Sequence, residues 1–130
     1  PSAPAEAPVW REPLGANPGR CALVPNDVLL FRYSALTFNS HRIHYDRRYC
    51  LEVEGYPGLV VHGPLMATVM ATLAWLQAGR RMPRSYSFRA LAPVFDADAI
   101  TVHSARDGAS AKTEVRKADG TIAQAGEMTW

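Results

Sequence analysis

Cysteine is scarce in this chain. Cys21 and Cys50 are the only two in 130 residues, and no Cys/His spacing resembles a structural metal site. A disulfide scaffold is therefore excluded. The two thiols read as small buried or half-buried residues of a reducing compartment: cytoplasmic, or the mitochondrial matrix in a eukaryote. An excess of charge of one sign is lacking too. The formal net charge of +2 argues for neither a nucleic-acid nor a membrane partner. Long hydrophobic runs are missing. The best candidate, Leu65 to Ala78, is shorter than the roughly 20 residues a span requires and is interrupted by Thr68, Thr72 and Gln77. No secretory signal is visible. The chain begins at Pro1 without a methionine, which reads as a processed product or a piece of something longer.

What is present fits one globular domain: 48% hydrophobic and 20% charged residues, in a length able to bury a core without disulfides. Residues 1–20 are rich in Pro, Ala and Gly and read as an extended tail or linker, with Val9, Trp10 and Leu14 able to pin part of it to the surface. Residues 21–130 then form the single domain. Asn26 or Asp27 can cap a helix running to Leu36, although Val28–Tyr33 also competes as a strand. Residues 37–46 form a polar, His-rich loop. One or two helical turns follow from Arg47 to Glu54, ended by Gly55, Pro57 and Gly58.

Pro64 suits the first turn of a helix. The residues from Leu65 to Ala78 are apolar on nearly every face, the mark of a buried helix. After Pro83 the pattern becomes alternating. Strands are expected around Tyr86–Ala92, Ala99–Ala105, Ser110–Lys117 and Thr121–Trp130, with hairpin turns at Asp107-Gly108 and Asp119-Gly120. Such strands imply an antiparallel meander. One buried helix with a curling antiparallel sheet is an α+β domain of the hot-dog type, the sheet wrapped around a long central helix.

The stretch Ser34–Asp46 resembles the hydratase motif of the MaoC-like (R)-specific enoyl-thioester hydratases and dehydratases. Two blocks carry the likeness further. One is Thr37-Phe38-Asn39-x-His41-Arg42-Ile43-His44-Tyr45-Asp46. The other is Glu54-Gly55-Tyr56-Pro57-Gly58-Leu59-Val60-Val61-His62-Gly63-Pro64-Leu65. Both are similar to the branch of 3-hydroxyacyl-thioester dehydratases and mesaconyl-CoA hydratases. Beyond Leu65 only Phe88-Arg89-x-x-x-Pro93-Val94-Phe95 echoes it.

The resemblance implies a hydro-lyase that adds water to an enoyl-CoA or removes it from a 3-hydroxyacyl thioester on CoA or carrier protein. Substrates of mesaconyl or itaconyl type occur in the branch. It implies His44 as proton shuttle, since imidazole titrates near neutral pH. The wider family places an aspartate five positions earlier. Here Asn39 stands there, and an amide can hold water but cannot act as a base. The second proton-handling role is left open between His44 itself, His41 and Asp46, with Asp46 weighed as a loop or helix cap. Gly63 is the candidate oxyanion donor at a helix start.

Arg42, His41, His62 and Arg89 are the candidate substrate contacts. Solvated surface arginines are the bland alternative, and His62 reads as support rather than catalyst. Neither a metal nor a cofactor is expected beyond the coenzyme A or phosphopantetheine of the substrate. A hot-dog thioesterase is the alternative activity, disfavoured because Pro64–Met70 holds no Asp or Glu. One subunit of a two-part hydratase is the other reading. A lone hot dog leaves a sheet edge open, so a homodimer or a heterodimer with a second hot-dog half is expected.

Overall fold

The computed structural model describes residues 9–130. The first eight residues of the expected tail lie outside the described residues. From Trp10 onward the tail reading is corrected: Trp10–Asn17 is a strand, β1, paired antiparallel with β2 at Arg20–Leu23. The Pro/Gly content misleads because β1 is an edge strand with irregular register, where Pro13 and a left-handed Gly15 cost the sheet little. Val9, Trp10 and Leu14 pack against the core.

Helix α1 spans Asp27–Thr37, so the helical reading of this stretch prevails over the strand. Its N-cap is Asn26, whose side chain accepts from Leu29 N–H at 2.9 Å. It ends on Phe38 in the left-handed region, φ 54°, with Phe38 N–H to Ala35 O and Asn39 N–H to Ser34 O. A tight turn at Arg42–His44 leads into the short helix α2, Arg47–Tyr49, which runs on as the wider turn Cys50–Glu54.

The long helix α3 covers Gly63–Gln77, and β3 (Ser85–Ala90), β4 (Ile100–Asp107), β5 (Ser110–Lys117) and β6 (Ile122–Thr129) follow. The sheet order is β1-β2-β4-β5-β6-β3, antiparallel throughout. The meander therefore holds for β4-β5-β6 only. The segment from Leu91 to Ala99 is no tight turn, and β3 lies beside β6 at the far edge rather than beside β4.

The sheet curls around α3, which touches β1, β3, β4, β5 and β6. This is the hot-dog architecture. Leu65, Met66, Val69, Met70 and Leu73 face the sheet and are buried, each contributing about 1.5–3 kcal/mol by leaving water. The opposite face is open, with Pro64 and Thr68 exposed and Ala71, Thr72 and Trp75 only half-buried. A helix apolar on every face is thus sheathed on one side in a single chain.

Two glutamines pin its ends. Gln124 Nε2 of β6 donates to Gly63 O at 3.1 Å, while Gln77 Oε1 accepts from Ser104 Oγ of β4 at 2.8 Å. Both cysteines are buried and free. Burial pushes the Cys21 thiol up to about 11 and raises that of Cys50. No helix among the described residues is long and apolar enough to cross a membrane.

Candidate active site

Two chain segments meet at the N-terminus of α3. The loop carrying His41–Asp46 is tied down by Asp46, whose Oδ1 accepts from Tyr49 N–H at 2.9 Å and caps α2. The segment Leu59–Val61 is held from the other side. Val61 N–H donates to Val94 O, Asp96 N–H to Leu59 O, and Leu59 N–H to the Asp96 carboxylate, which also pairs with Arg47 of α2. A side chain at Gly58 would bring its Cβ to 2.6 Å from Asp96 Oδ1, so it would push the Asp96 carboxylate out of its present place in this clamp.

Val60 joins the two segments. Its N–H donates to Ile43 O at 2.8 Å, and its carbonyl lies 2.7 Å from His44 Nδ1. A carbonyl only accepts, so His44 carries its proton on Nδ1 and presents Nε2 as the free base. Burial holds the His44 pKa below its usual 6.5, partly opposed by the Val60 hydrogen bond.

His44 lines a cavity of about 420 Å³ together with Val60, Val61, Gly63, Met66 and the segment Ala90–Val94. Apart from the imidazole, every side chain that lines it is apolar. Among the described residues nothing accepts from the Gly63 N–H, which sits at the first position of α3, where the helix supplies no partner. A Cβ built on Gly63 would meet only Gln124 Oε1, at 3.7 Å, so the backbone there is approachable from the cavity.

Behind His44 lies His62, fully buried. The two rings are stacked with centroids 3.8 Å apart and planes 18° from parallel. His62 Nε2 is 2.7 Å from Ser34 Oγ of α1, and Tyr33 meets the ring edge-on at 4.8 Å. Burial, with the neighbouring His44, pushes the His62 pKa down to about 4. His62 Nδ1 and Gln124 Oε1 are buried without hydrogen-bond partners among the described residues.

The other sequence-expected residues are placed as follows. Asn39 does not line the His44 cavity. Its Oδ1 accepts from His41 N–H at 3.0 Å, and it lines a second cavity of about 370 Å³ with Phe31, Ser34, Ala35, Phe38, Ser40 and Tyr45. His41 is exposed, perpendicular to His44 at 5.6 Å. Arg42 is exposed, pairs with Asp46 at 2.8 Å and lies 4.2 Å over the Tyr49 ring.

Arg89 is exposed on β3 and lines a separate groove with Lys112 and Glu127, although its neighbour Ala90 reaches the His44 cavity. His103, on β4, is half-buried and lies away from the His44 cavity. Among the described residues no three His, Cys, Asp or Glu side chains gather as metal ligands.

Three groups at the site are not foreseeable from the sequence: the Val60 carbonyl, Ser34 and Gln124. A backbone carbonyl has no sequence signal. Ser34 has only its place on the inner face of α1. Gln124 stands out solely as an amide in the small, apolar run Ile122–Gly126.

The family model for hydroxyacyl-thioester dehydratase type 2 matches residues 5–96. The chain belongs to this family. Among curated relatives of the dehydratase family member, the mesaconyl-C(4)-CoA hydratase of Chloroflexus aurantiacus is 45% identical over 92% of this chain and 42% of its own. The mitochondrial hydroxyacyl-thioester dehydratase type 2 of Schizosaccharomyces pombe is 42% identical over 55% of this chain and 24% of its own. The chain thus spans less than half the length of these relatives. A solved (R)-hydratase from A. caviae shares the fold, with TM-score 0.72 at 20% identity over 95% of both chains.

Proposed function

We propose that this member of the dehydratase family is a hydro-lyase on acyl thioesters, adding water across the α,β double bond of an enoyl thioester and reversing that reaction. The observation that carries the reading is the pairing, in one apolar cavity, of a free His44 Nε2 with the unpartnered Gly63 N–H.

In this scheme the thioester carbonyl points at Gly63 N–H and the positive end of α3, where enolate charge is stabilised as it forms. His44 Nε2 takes a proton from water while the water oxygen bonds to the β-carbon and the π electrons move to the carbonyl oxygen. The imidazolium then returns its proton to the α-carbon, and the carbonyl re-forms. One base placed on one face does both transfers, giving syn addition without an aspartate. Asn39 supports the turn that carries His41–His44, consistent with its bond to His41 N–H.

The cavity volume of about 420 Å³ suits a short acyl group, and the mesaconyl-C(4)-CoA for which the Chloroflexus relative is named is of that size class. His41 and Arg42, exposed on the loop that carries His44, are the proposed contacts for the CoA or phosphopantetheine phosphates. Arg89 can serve only a ligand that reaches beyond the Ala90 wall. His62 is assigned behind His44 rather than to the substrate.

A second hot-dog domain is the proposed partner, as another copy or as a second half. Among the described residues nothing pairs with the outer edge of β3. Beside it the open face of α3 forms a groove with Pro64, Ala67, Thr68, Ala71, Thr72, Tyr86 and Phe88. The greater length of the relatives leaves room for such a half.

The test is a panel of crotonyl-, mesaconyl- and longer enoyl-CoA thioesters followed by mass. A gain of one water with the thioester intact is expected. Release of free CoA with an unchanged double bond would establish the thioesterase alternative instead.

A further inference from the structure

Behind the His44 cavity the fold has buried a polar row that the reaction scheme does not use. Ser34 Oγ of α1 contacts His62 Nε2 at 2.7 Å, and the His62 ring lies flat on the His44 ring at 3.8 Å. Placing a fully buried histidine there is costly unless it stays neutral. The titratable groups facing the pair are His41 from the loop, at 5.6 Å from His44, and Tyr33 from α1, at 4.8 Å from His62. No Asp, Glu, Lys or Arg of the described residues bonds to either ring. Two imidazolium rings at this separation would repel strongly, so the stack admits one proton.

We propose that His62, fixed by Ser34, is a positioning residue for His44: it clamps the catalytic ring face-on and leaves His44 as the only member of the stack that takes the proton. The claim deepens the hydro-lyase reading and rests on it for the word catalytic. The Val60 carbonyl fixes His44 within its own plane, through Nδ1 at 2.7 Å. A hydrogen bond along one edge leaves the ring free to rock about that bond. The flat face of His62 removes this freedom.

Ser34 matters because it sets the plane of His62. It can do so because the end of α1 is held by Asn39 N–H on the Ser34 carbonyl at 2.9 Å. His62 also covers one face of His44, excluding water there and keeping the base unprotonated at neutral pH. The burial-driven lowering of both pKa values agrees with this picture.

The test combines nitrogen NMR of ¹⁵N-histidine-labelled protein with pH–rate profiles. In the unmodified protein, His44 is expected as the Nδ1–H tautomer and to protonate first as pH falls. His62 is expected as a single neutral tautomer at every pH at which His44 titrates. Protonation of His62 before His44 overturns the proposal without any variant.

Ser34→Ala removes the hydroxyl at a helix position that alanine suits. It is expected to lower kcat by roughly 10- to 100-fold, as for a misplaced base, with KM within about twofold. It should also raise the His44 pKa, shifting the acid limb of the hydration profile upward. His62→Phe keeps a flat apolar cover and is expected to keep the acid limb low. Unchanged kcat and acid limb in Ser34→Ala, with the fold intact, overturn the proposal. If the hydro-lyase reading itself is wrong, no water is added by any form, yet the nitrogen spectra still report the order of protonation.

Discussion

At the residue scale, His44 is set apart from the other histidines by one contact. Its Nδ1 is occupied by the Val60 carbonyl, leaving Nε2 for chemistry. The sign of its pH dependence follows. The neutral form is the base and burial lowers the pKa below 6.5, so hydration is expected to be at its plateau at pH 7 and to fall only as pH drops below 6.5. A kcat/KM profile with its acid limb above pH 7 would contradict this.

His62 makes a stability prediction. Its pKa is lowered from 6.5 to about 4, so between those values the unfolded chain binds the extra proton. The neutral folded state therefore contributes stability above pH 6.5, and that contribution is lost as pH falls toward 4. A shift of this size corresponds to about 3 kcal/mol. Urea unfolding from pH 7 to 4 checks it, and His62→Phe is expected to flatten the dependence.

Gly63 gives the sharpest steric test. Its Cβ position is open to within ordinary contact of Gln124, so Gly63→Ala is expected to fold with normal stability yet lose at least tenfold in kcat/KM as the methyl crowds the approach to the Gly63 N–H. Unimpaired hydration by Gly63→Ala would remove Gly63 from the site.

At the scale of elements, α1 ends against its own sequence. Phe38 occupies the left-handed cap at φ 54° with its side chain 95% exposed. A glycine there relieves about 1 kcal/mol of backbone strain and forfeits little packing. Phe38→Gly is therefore expected to raise the unfolding free energy by that amount in urea titration. A loss of stability would show that Phe38 packs against something outside this chain.

The elements that local chemistry specifies were legible in the sequence. Asn26 announces α1, Pro64 opens α3, and the Asp-Gly pairs turn β4 into β5 and β5 into β6. What local chemistry does not specify was missed. β1 is a strand because β2 offers it an edge, against its own proline and glycine content. β3 joins β6 through a pairing far along the chain. The site divides in the same way. His44 and Gly63 share one cavity as the motif implies. Asn39 and Arg89 do not join them, because the turn after α1 and the alternation of β3 direct each to another surface.

At the scale of the whole molecule, the hot-dog sheet sheathes one side of α3 and brings the loop, the helix start and the β3–β4 connection around His44. Among the described residues the other side of α3 and the outer edge of β3 are left uncovered. If a second hot-dog domain covers them, Thr68→Arg, at an exposed position of the single chain, is expected to halve the mass in sedimentation without altering the far-UV spectrum. A monomeric mass for the unmodified protein at full activity would contradict that assembly.

The central claim is that this fold places His44 to move the proton in thioester hydration. It is tested most directly by the turnover of His44→Ala on the best enoyl-CoA of the panel, alongside a thermal unfolding curve. A loss of at least about 100-fold in kcat with an unchanged unfolding midpoint is the predicted result. Near-normal turnover by a folded His44→Ala protein on every accepted thioester would contradict the account.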